Sequence, residues 1–181
     1  MESCTVHPDC LPLDFLQFAH HCEVLSDGRP LPRQQDFSLT DVMWLDGRIY
    51  EIDVLGSFPD YYFRKFGIFW QAVYGENFAG HWLSEIELRT TKLDALRAQY
   101  DQVVSQRAPQ INRSRLIWPD EAEITLDRLM IPFTLDGETV SQIVVAAHFD
   151  SELSDLMVLH GSGLPQLVME EGPQFLLPLA S

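Results

Sequence analysis

Two apolar runs that flank an Asp-Gly pair, within residues 124–149, constrain the fold more than any other feature of the sequence. The first run covers 124–133, and the second contains an unbroken apolar stretch from Ile143 to Ala147. An Asp-Gly pair between two such runs is a strong signal for a β-hairpin. Because the second run is apolar at successive positions, both faces of its strand should be buried. We therefore expect that strand in the middle of a sheet, with something packed on each side.

The other periodicities predict an α+β fold, with an antiparallel five-stranded sheet and with short helices and one long helix on one face. Tyr50, Ile52 and Val54 alternate with Glu51 and Asp53, which is typical of a strand with one solvent-exposed face. The longest helical pattern follows a capping box. In order, the predicted elements are helix 11–25, a short helix at 36–45, strands 49–55 and 61–69, short helices within 70–83, helix 86–106, and strands 111–118, 124–133 and 139–149.

These elements divide the chain into an N-terminal helical extension at 1–33, a domain at 34–150 and a C-terminal tail of unknown structure at 151–181. The helix of the extension carries an apolar stripe, which has to be covered by something. Two alternatives stay open: the helix packs on the sheet of its own chain, or it pairs with a second copy. We expect the protein to be a homodimer, with Phe15, Phe18, Cys22 and Leu25 as the candidate contact residues.

The charge of the chain limits its partners. The formal net charge is −15, and no Lys or Arg follows Arg128. Such a field repels phosphate backbones and anionic lipid, so we expect no nucleic acid and no membrane as a partner. No apolar run approaches the ~20 residues of a membrane span. The first residues also lack the basic and apolar regions of a signal peptide, so the sequence predicts a cytoplasmic protein.

Cysteine and histidine residues are concentrated near the N-terminus. The three cysteines are an odd number, which favours reduced thiols in the cytosol over a disulfide framework. Their spacing relative to the nearby histidines does not match a zinc finger or ribbon, and a helix would point neighbouring side chains in different directions. We therefore predict no metal site among these residues, which are Cys4, His7, Cys10, His20, His21 and Cys22.

A series of short motifs follows the predicted element order across residues 12–149. They are Leu31-Pro32-Arg33 with Asp36-Phe37, Asp60-Tyr61-Tyr62-Phe63-Arg64 leading to Gly67, Tyr74-Gly75, Gly80, Tyr100 on the long helix, and Leu129-Met130-Ile131-Pro132-Phe133 with Asp136-Gly137. With these motifs the chain resembles the PAS-like family that is widespread in alphaproteobacteria, the fifth PAS subfamily. The resemblance implies a PAS fold with a sensory or partner-binding role, and it carries over no catalytic residues. One departure is the bulky segment 65–69, which could partly fill the pocket of such a fold.

The resemblance also bears on cofactors, and we predict none. A flavin photosensor of this fold needs a reactive cysteine near the central helices, whereas all three cysteines precede residue 23. A haem sensor of this fold uses a histidine on or near the long helix, and residues 86–106 contain none. His81 shortly before that helix is a weak candidate. Flavin and haem are therefore both disfavoured.

The resulting hypothesis is a non-enzymatic sensory or regulatory module for signal transduction. It would bind a small apolar ligand, a regulatory partner protein, or both, and signal through protein–protein contacts. An aromatic cluster within 70–82 would form either the wall of a cavity or a plug of the core. Alternatives are a small-molecule enzyme that uses the same cavity, with His148 or a buried carboxylate as base, or a ligand-free interaction protein. The pocket candidates are Phe66, Trp70, Tyr74, Leu83, Trp118, Leu129, Ile143 and Val145.

Overall fold

The structure, a computed structural model, describes residues 11–56, 60–87, 93–150, 165–169 and 175–176. Its centre is an antiparallel sheet in which five strands follow the order β2-β1-β5-β4-β3. The α+β class and the five antiparallel strands predicted from the sequence are thereby confirmed, and two further strands from the C-terminal tail bring the sheet to seven strands within the described residues. The elements are α1 (Leu13–Ser26), β1 (Ile49–Leu55), β2 (Asp60–Phe66), α2 (Ile68–Tyr74), α3 (Leu83–Glu87), α4 (Asp94–Gln106), β3 (Gln110–Ile117), β4 (Glu123–Thr134), β5 (Val140–Phe149), β6 (Gln166–Met169) and β7 (Phe175–Leu176).

The β4–β5 hairpin occupies the middle of this sheet, as the apolar runs predict. Strand β5 pairs with β1 on one side and with β4 on the other. Its apolar run from Ile143 to Ala147 is completely buried, because both faces of the sheet are covered. Gly137 at the turn has a φ of 93°, a conformation that residues with a Cβ rarely adopt. The Asp-Gly signal therefore locates the turn correctly.

The two faces of the sheet carry different layers. We call one the helix layer, because the buried residues of α2, α3 and α4 pack there against Ile143, Val145 and Met130. The opposite face carries α1. Its Phe15 and Phe18 pack against the strand residues that point away from the helix layer. The strand residues of this α1 face are Ile49, Ile111, Leu129, Ile131, Phe133, Val144 and Ala146.

Several predicted boundaries are wrong for identifiable reasons. Strand β2 ends at Phe66 rather than at residue 69, because Gly67 lies against the backbone of Gly47 and α2 begins at Ile68. The short helix expected at 36–45 consists of two 3-10 segments, Gln34–Asp36 and Leu39–Leu45. The helix expected at 86–106 is represented by α3 and α4, and residues 88–92 between them lie outside the described part.

The expectation that β1 has one solvent-exposed face is wrong at Glu51, which is 6% exposed. Its carboxylate accepts a hydrogen bond of 3.2 Å from Gln142 Nε2 on β5 and lies 3.4 Å from Lys65 Nζ on β2. A buried carboxylate is tolerated when hydrogen bonds and an opposite charge replace its hydration. The alternation identified the strand but not the polar partners that its neighbours supply.

Both the N-terminal extension and the C-terminal tail contribute to this architecture. Helix α1 packs on the sheet, and the connector that follows it reaches the hairpin, where Thr134 N donates to Pro32 O at 3.0 Å. Strands β6 and β7 of the tail both pair antiparallel with β3. None of the helices within the described ranges is long and apolar enough to cross a membrane.

Candidate functional site

The pocket candidates do not all lie on one side of the sheet. Seven of them are buried together in the helix layer: Phe66, Trp70, Tyr74, Leu83, Trp118, Ile143 and Val145. Leu129 is the exception, because it faces α1 with Ile131 and Phe133. Its assignment to the pocket was wrong by one step of the strand alternation, since Met130 is the residue that faces the helix layer.

Aromatic rings occupy the space between β1, β2 and α2, where the pocket was expected. The ring of Tyr50 meets that of Trp70 edge-on, with centroids 4.8 Å apart. Phe66 contacts Phe78 at 5.1 Å, and Tyr74 contacts Phe78 at 5.2 Å. These are the edge-on and tilted separations of packed aromatic cores. The aromatic residues of this region therefore pack against one another as a core.

A polar strip lies beside these rings in the helix layer. Arg128 on β4 is 0% exposed, and its Nη2 donates to Ser114 Oγ on β3 at 3.1 Å and to Gln99 Oε1 on α4. The hydroxyl groups of Tyr50 and Tyr100 lie 2.9 Å apart. Burial raises the pKa of both tyrosines, although Arg128 partly offsets the effect, so both hydroxyls stay protonated and neutral.

Asn112 extends the polar strip along β3, where it pairs in register with Arg128. It is 2% exposed, and within the described part of the chain neither its side-chain oxygen nor its side-chain nitrogen has a hydrogen-bond partner. A buried amide without partners is unusual enough to require an explanation, such as an internal water or a ligand. Sequence reasoning missed Arg128 and Asn112 because charged and amide residues are normally expected outside. The available signal was that Arg128 stands between Leu126 and Met130 in the alternation of β4.

The residues proposed as a dimer contact lie inside the protein. Phe15, Phe18 and Cys22 are each 0% exposed in a single chain, because α1 covers the second face of its own sheet. The first alternative for the apolar stripe is therefore the correct one, and Leu25 at its end is only partly exposed. Burial also raises the pKa of the Cys22 thiol well above its ordinary value. A homodimer, if it forms, has to use another surface.

His148 and Asp150 contact different residues and do not form one site. The Nδ1 of His148 lies 3.6 Å from the Asp14 carboxylate on α1, which also accepts a hydrogen bond of 2.6 Å from Arg48. Asp150 instead accepts a hydrogen bond of 3.3 Å from Thr125 N. The first contact attaches the start of α1 to the sheet, and the second closes the outer end of the β4–β5 pair.

Asp60 connects the edge of the sheet to the helices. Its carboxylate accepts hydrogen bonds from Ser84 Oγ at 2.5 Å, from Arg97 Nη2 at 3.1 Å and from Tyr61 N at 2.9 Å. Partial burial raises the pKa of Asp60, but these hydrogen bonds outweigh that effect and hold the pKa below its ordinary value. This arrangement fixes the helix layer on β2.

A groove of about 370 Å³ opens at the hairpin end of the sheet. Its lining residues come from the end of β1, from α4 and from the β4–β5 turn: Val54, Gly56, Val104, Leu135, Asp136, Thr139, Val140 and Ser141. Leu135 is 65% exposed, and Leu55, which follows Val54 in the chain, is about half exposed. Exposed large apolar residues occur at the opposite end of β1 too, where Met43, Trp44 and Ile68 are found.

Comparison with protein-family models, with characterised proteins and with solved structures finds no match to this chain. Within the described part of the chain, no group of three or more His, Cys, Asp or Glu residues could hold a metal ion. Cys4, His7 and Cys10 lie outside the described residues. The functional interpretation therefore depends on the geometry of the helix layer and of the surface.

Proposed function

We propose that this chain is a regulatory module of the PAS type, located in the cytoplasm, that acts through contacts with a partner protein. Two features support the PAS type. The chain order of two strands, a series of helices and three further strands agrees with the element order that the sequence motifs follow, and the helices between β2 and β3 cover one face of the sheet. The family assignment and the location are part of the proposal.

The observation that carries the proposal is the packing of aromatic rings between β1, β2 and α2. A sensor of a small apolar ligand needs apolar space between its sheet and its helices. Here the rings of Tyr50, Phe66, Trp70, Tyr74 and Phe78 contact one another in that space. The module has exposed apolar residues at both ends of β1 instead, and such residues favour binding at the surface.

A second candidate function is the sensing of a small polar ligand, and the amide of Asn112 is the observation that favours it. An amide that is 2% exposed and has no partner among the described residues could donate to and accept from a buried ligand. Such a ligand would be polar, because Arg128, Ser114 and Gln99 surround that part of β3 and β4. It would replace the apolar ligand expected from the sequence.

Native mass spectrometry of the purified full chain separates the two candidates. We expect the mass of the bare chain, as a monomer or as an oligomer. Additional bound mass that Asn112→Leu removes would instead establish the polar-ligand function. A matched control is Asn77→Leu, which alters a residue of the loop before α3.

Cross-linking in an extract of the source cells tests the partner directly. We expect a cross-linked protein that the wild-type chain recovers and that one folded surface variant, Trp44→Ser or Leu135→Ser, loses. These two residues represent the opposite ends of β1. If both variants and the wild type recover the same proteins, or if none is recovered, the proposal of a partner-binding module fails.

A further inference from the structure

The groove at the hairpin end is a preformed surface. Oδ1 of Asp136 accepts hydrogen bonds from Thr134 Oγ1 at 2.9 Å, from Glu138 N at 2.8 Å and from Thr139 N at 2.7 Å. Thr134 Oγ1 also accepts from Gly137 N at 2.9 Å. The turn that forms one wall of the groove is therefore held in a single conformation. A preformed wall lowers the entropy loss of binding, which favours a role in recognition.

Asp136 gives the groove a negative charge, and the same hydrogen bonds keep that charge at low pH. The backbone amides of Thr139 and Glu138 and the Thr134 hydroxyl hold the pKa of Asp136 far below its ordinary value, so the carboxylate stays ionised. Among the described residues that line the groove, Asp136 is the only ionisable one. The exposed Glu138 follows it, and the chain as a whole carries a net charge of −15. Electrostatic complementarity therefore favours a cationic occupant.

The apolar part of the groove defines the rest of that occupant. The aliphatic side chains of the groove belong to Val54, Val104, Leu135 and Val140, and Leu135 is mostly exposed. Covering Leu135 would remove apolar surface from water, which is a larger gain than one solvent-exposed ion pair provides. The volume lies at the lower end of the ~300–1,000 Å³ typical of ligand sites, so it fits a few side chains of a segment rather than a folded element.

We propose that this groove binds a basic amphipathic segment of a partner protein, in which a Lys or Arg stands beside aliphatic side chains. The aliphatic side chains would cover Leu135 and Val104, and the cation would lie near Asp136. This inference rests on the proposed function, since it names the partner chemistry and the surface. A second copy of this chain is a poorer occupant, because two chains of −15 repel each other.

Chemical-shift mapping on the ¹⁵N-labelled full chain tests the proposal with defined peptides. The probe is a blocked peptide of sequence Gly-Ser-Leu-Lys-Leu-Ser-Gly, compared with two matched peptides that carry Glu or Gln in place of Lys. We expect the Lys peptide to shift the amide signals of Gly56, Val104 and residues 135–141. The Glu peptide should bind at least tenfold more weakly than the Lys peptide, and the affinity of the Gln peptide should lie between those two.

Variants connect the binding to the two features of the groove. Leu135→Ser should weaken the binding of the Lys peptide about tenfold. The control variant Leu13→Ser changes a leucine of α1 that is 70% exposed, and it should leave the affinity for the Lys peptide within twofold. Asp136→Asn should weaken the binding of the Lys peptide about threefold and leave the affinity for the Gln peptide unchanged. An intact Gly137 amide signal would show that the turn is preserved in that variant.

The proposal is overturned if the Lys peptide causes no shifts, if its shifts lie elsewhere, or if the Glu peptide binds as tightly. Its failure is distinguishable from that of the partner-binding function. Cross-links that depend on Trp44 and not on Leu135 would keep the partner-binding function and refute the groove. Saturable binding of the Lys peptide at the groove, with no partner recovered from cells, would support the groove and refute that function.

Discussion

Replacing Gly67 by alanine should destabilise the protein through a backbone clash rather than through backbone strain. The φ of Gly67 is −65° and its ψ is 159°, which any residue adopts. A Cβ at this position would collide with the carbonyl oxygen of Gly47, and would lie 2.6 Å from the carbonyl carbon of Gly47 and 2.7 Å from the oxygen of Ile49. Ordinary contacts of carbon atoms are about 3.5–4.0 Å. The turn before β1 and the start of α2 therefore have to separate.

The size of the effect follows from the contacts that would be lost. Gly67 N donates to Ile49 O at 3.1 Å, and Phe69 N donates to Gly47 O at 2.9 Å. Each hydrogen bond contributes about 0.5–1.5 kcal/mol, and relieving the overpacking costs about 1–3 kcal/mol. The free energy of unfolding should fall by about 2–6 kcal/mol. For a chain of this size, a loss of about 4 kcal/mol lowers Tm by roughly 8–16 °C.

Urea unfolding followed by far-UV circular dichroism measures this loss, and Gly137→Ala is the matched control. Gly137 has a φ of 93°, but no atom of the described residues lies within 4 Å of an added Cβ. The control should therefore lower the free energy of unfolding only by the ~1–2 kcal/mol of a left-handed conformation. Backbone conformation alone would predict the opposite ranking. A smaller loss for Gly67→Ala than for Gly137→Ala would refute the clash.

Three further predictions concern the side chains of Asp60, Arg128 and Cys22. Asp60→Asn should lower the free energy of unfolding by about 1–2 kcal/mol at pH 7, since the carboxylate binds Arg97 and Ser84. Because the folded pKa of Asp60 is lowered, its contribution is present above the ordinary carboxyl pKa and is lost as pH falls through the folded value. Urea titrations of the variant and wild type should therefore converge below about pH 4. Arg128→Met should lower the free energy of unfolding by about 2–4 kcal/mol in the same assay, because Gln99 and Ser114 lose a buried hydrogen-bond partner. An unchanged midpoint of urea unfolding would contradict this role of Arg128. Cys22 is buried and the pKa of its thiol is raised, so N-ethylmaleimide at pH 8 should not modify it until urea unfolds the chain. Peptide mass mapping would measure the modification. Rapid labelling of the folded protein would disprove the burial of Cys22.

The parts of the fold that sequence predicts well are those with a local signal. The hairpin of β4 and β5 has one, because the Asp136-Gly137 pair locates the turn and the run from Ile143 to Ala147 requires burial on both faces. Strand β1 is likewise recognisable from its alternation. The end of β2 is not, because the close approach of Gly67 to Gly47 depends on a contact between distant turns.

The covering of α1 illustrates a limit of amphipathic patterns. The stripe formed by Phe15, Phe18 and Cys22 shows that one face is covered, but its own sheet and a second copy would both satisfy it. Helix α1 packs on its own sheet because one face of the β4–β5 hairpin, with Leu129, Ile131 and Val144, also has to be covered. The apolar run of β5 implied a second layer, and α1 supplies it.

The candidate sites were less predictable because they depend on which face each residue takes. Leu129 was assigned to the helix layer, although the alternation of β4 places it with α1. The polar strip was missed for the converse reason, since Arg128 occupies a helix-layer position that an apolar residue normally fills. The groove at Leu135 has no sequence signal beyond its turn, because three separate elements line it.

The central pairing of β1 with β5 has a consequence for how the chain reaches its native state. Glu51 and Gln142, which are hydrogen-bonded across these strands, are 91 residues apart in the chain. Closing such a long loop carries an entropy loss that has to be met before the contacts form, and non-local pairing slows folding. The β4–β5 hairpin, with its turn fixed by Asp136, requires no such closure. It should form early as a nucleus, and the docking of β1 on β5 should set the folding rate.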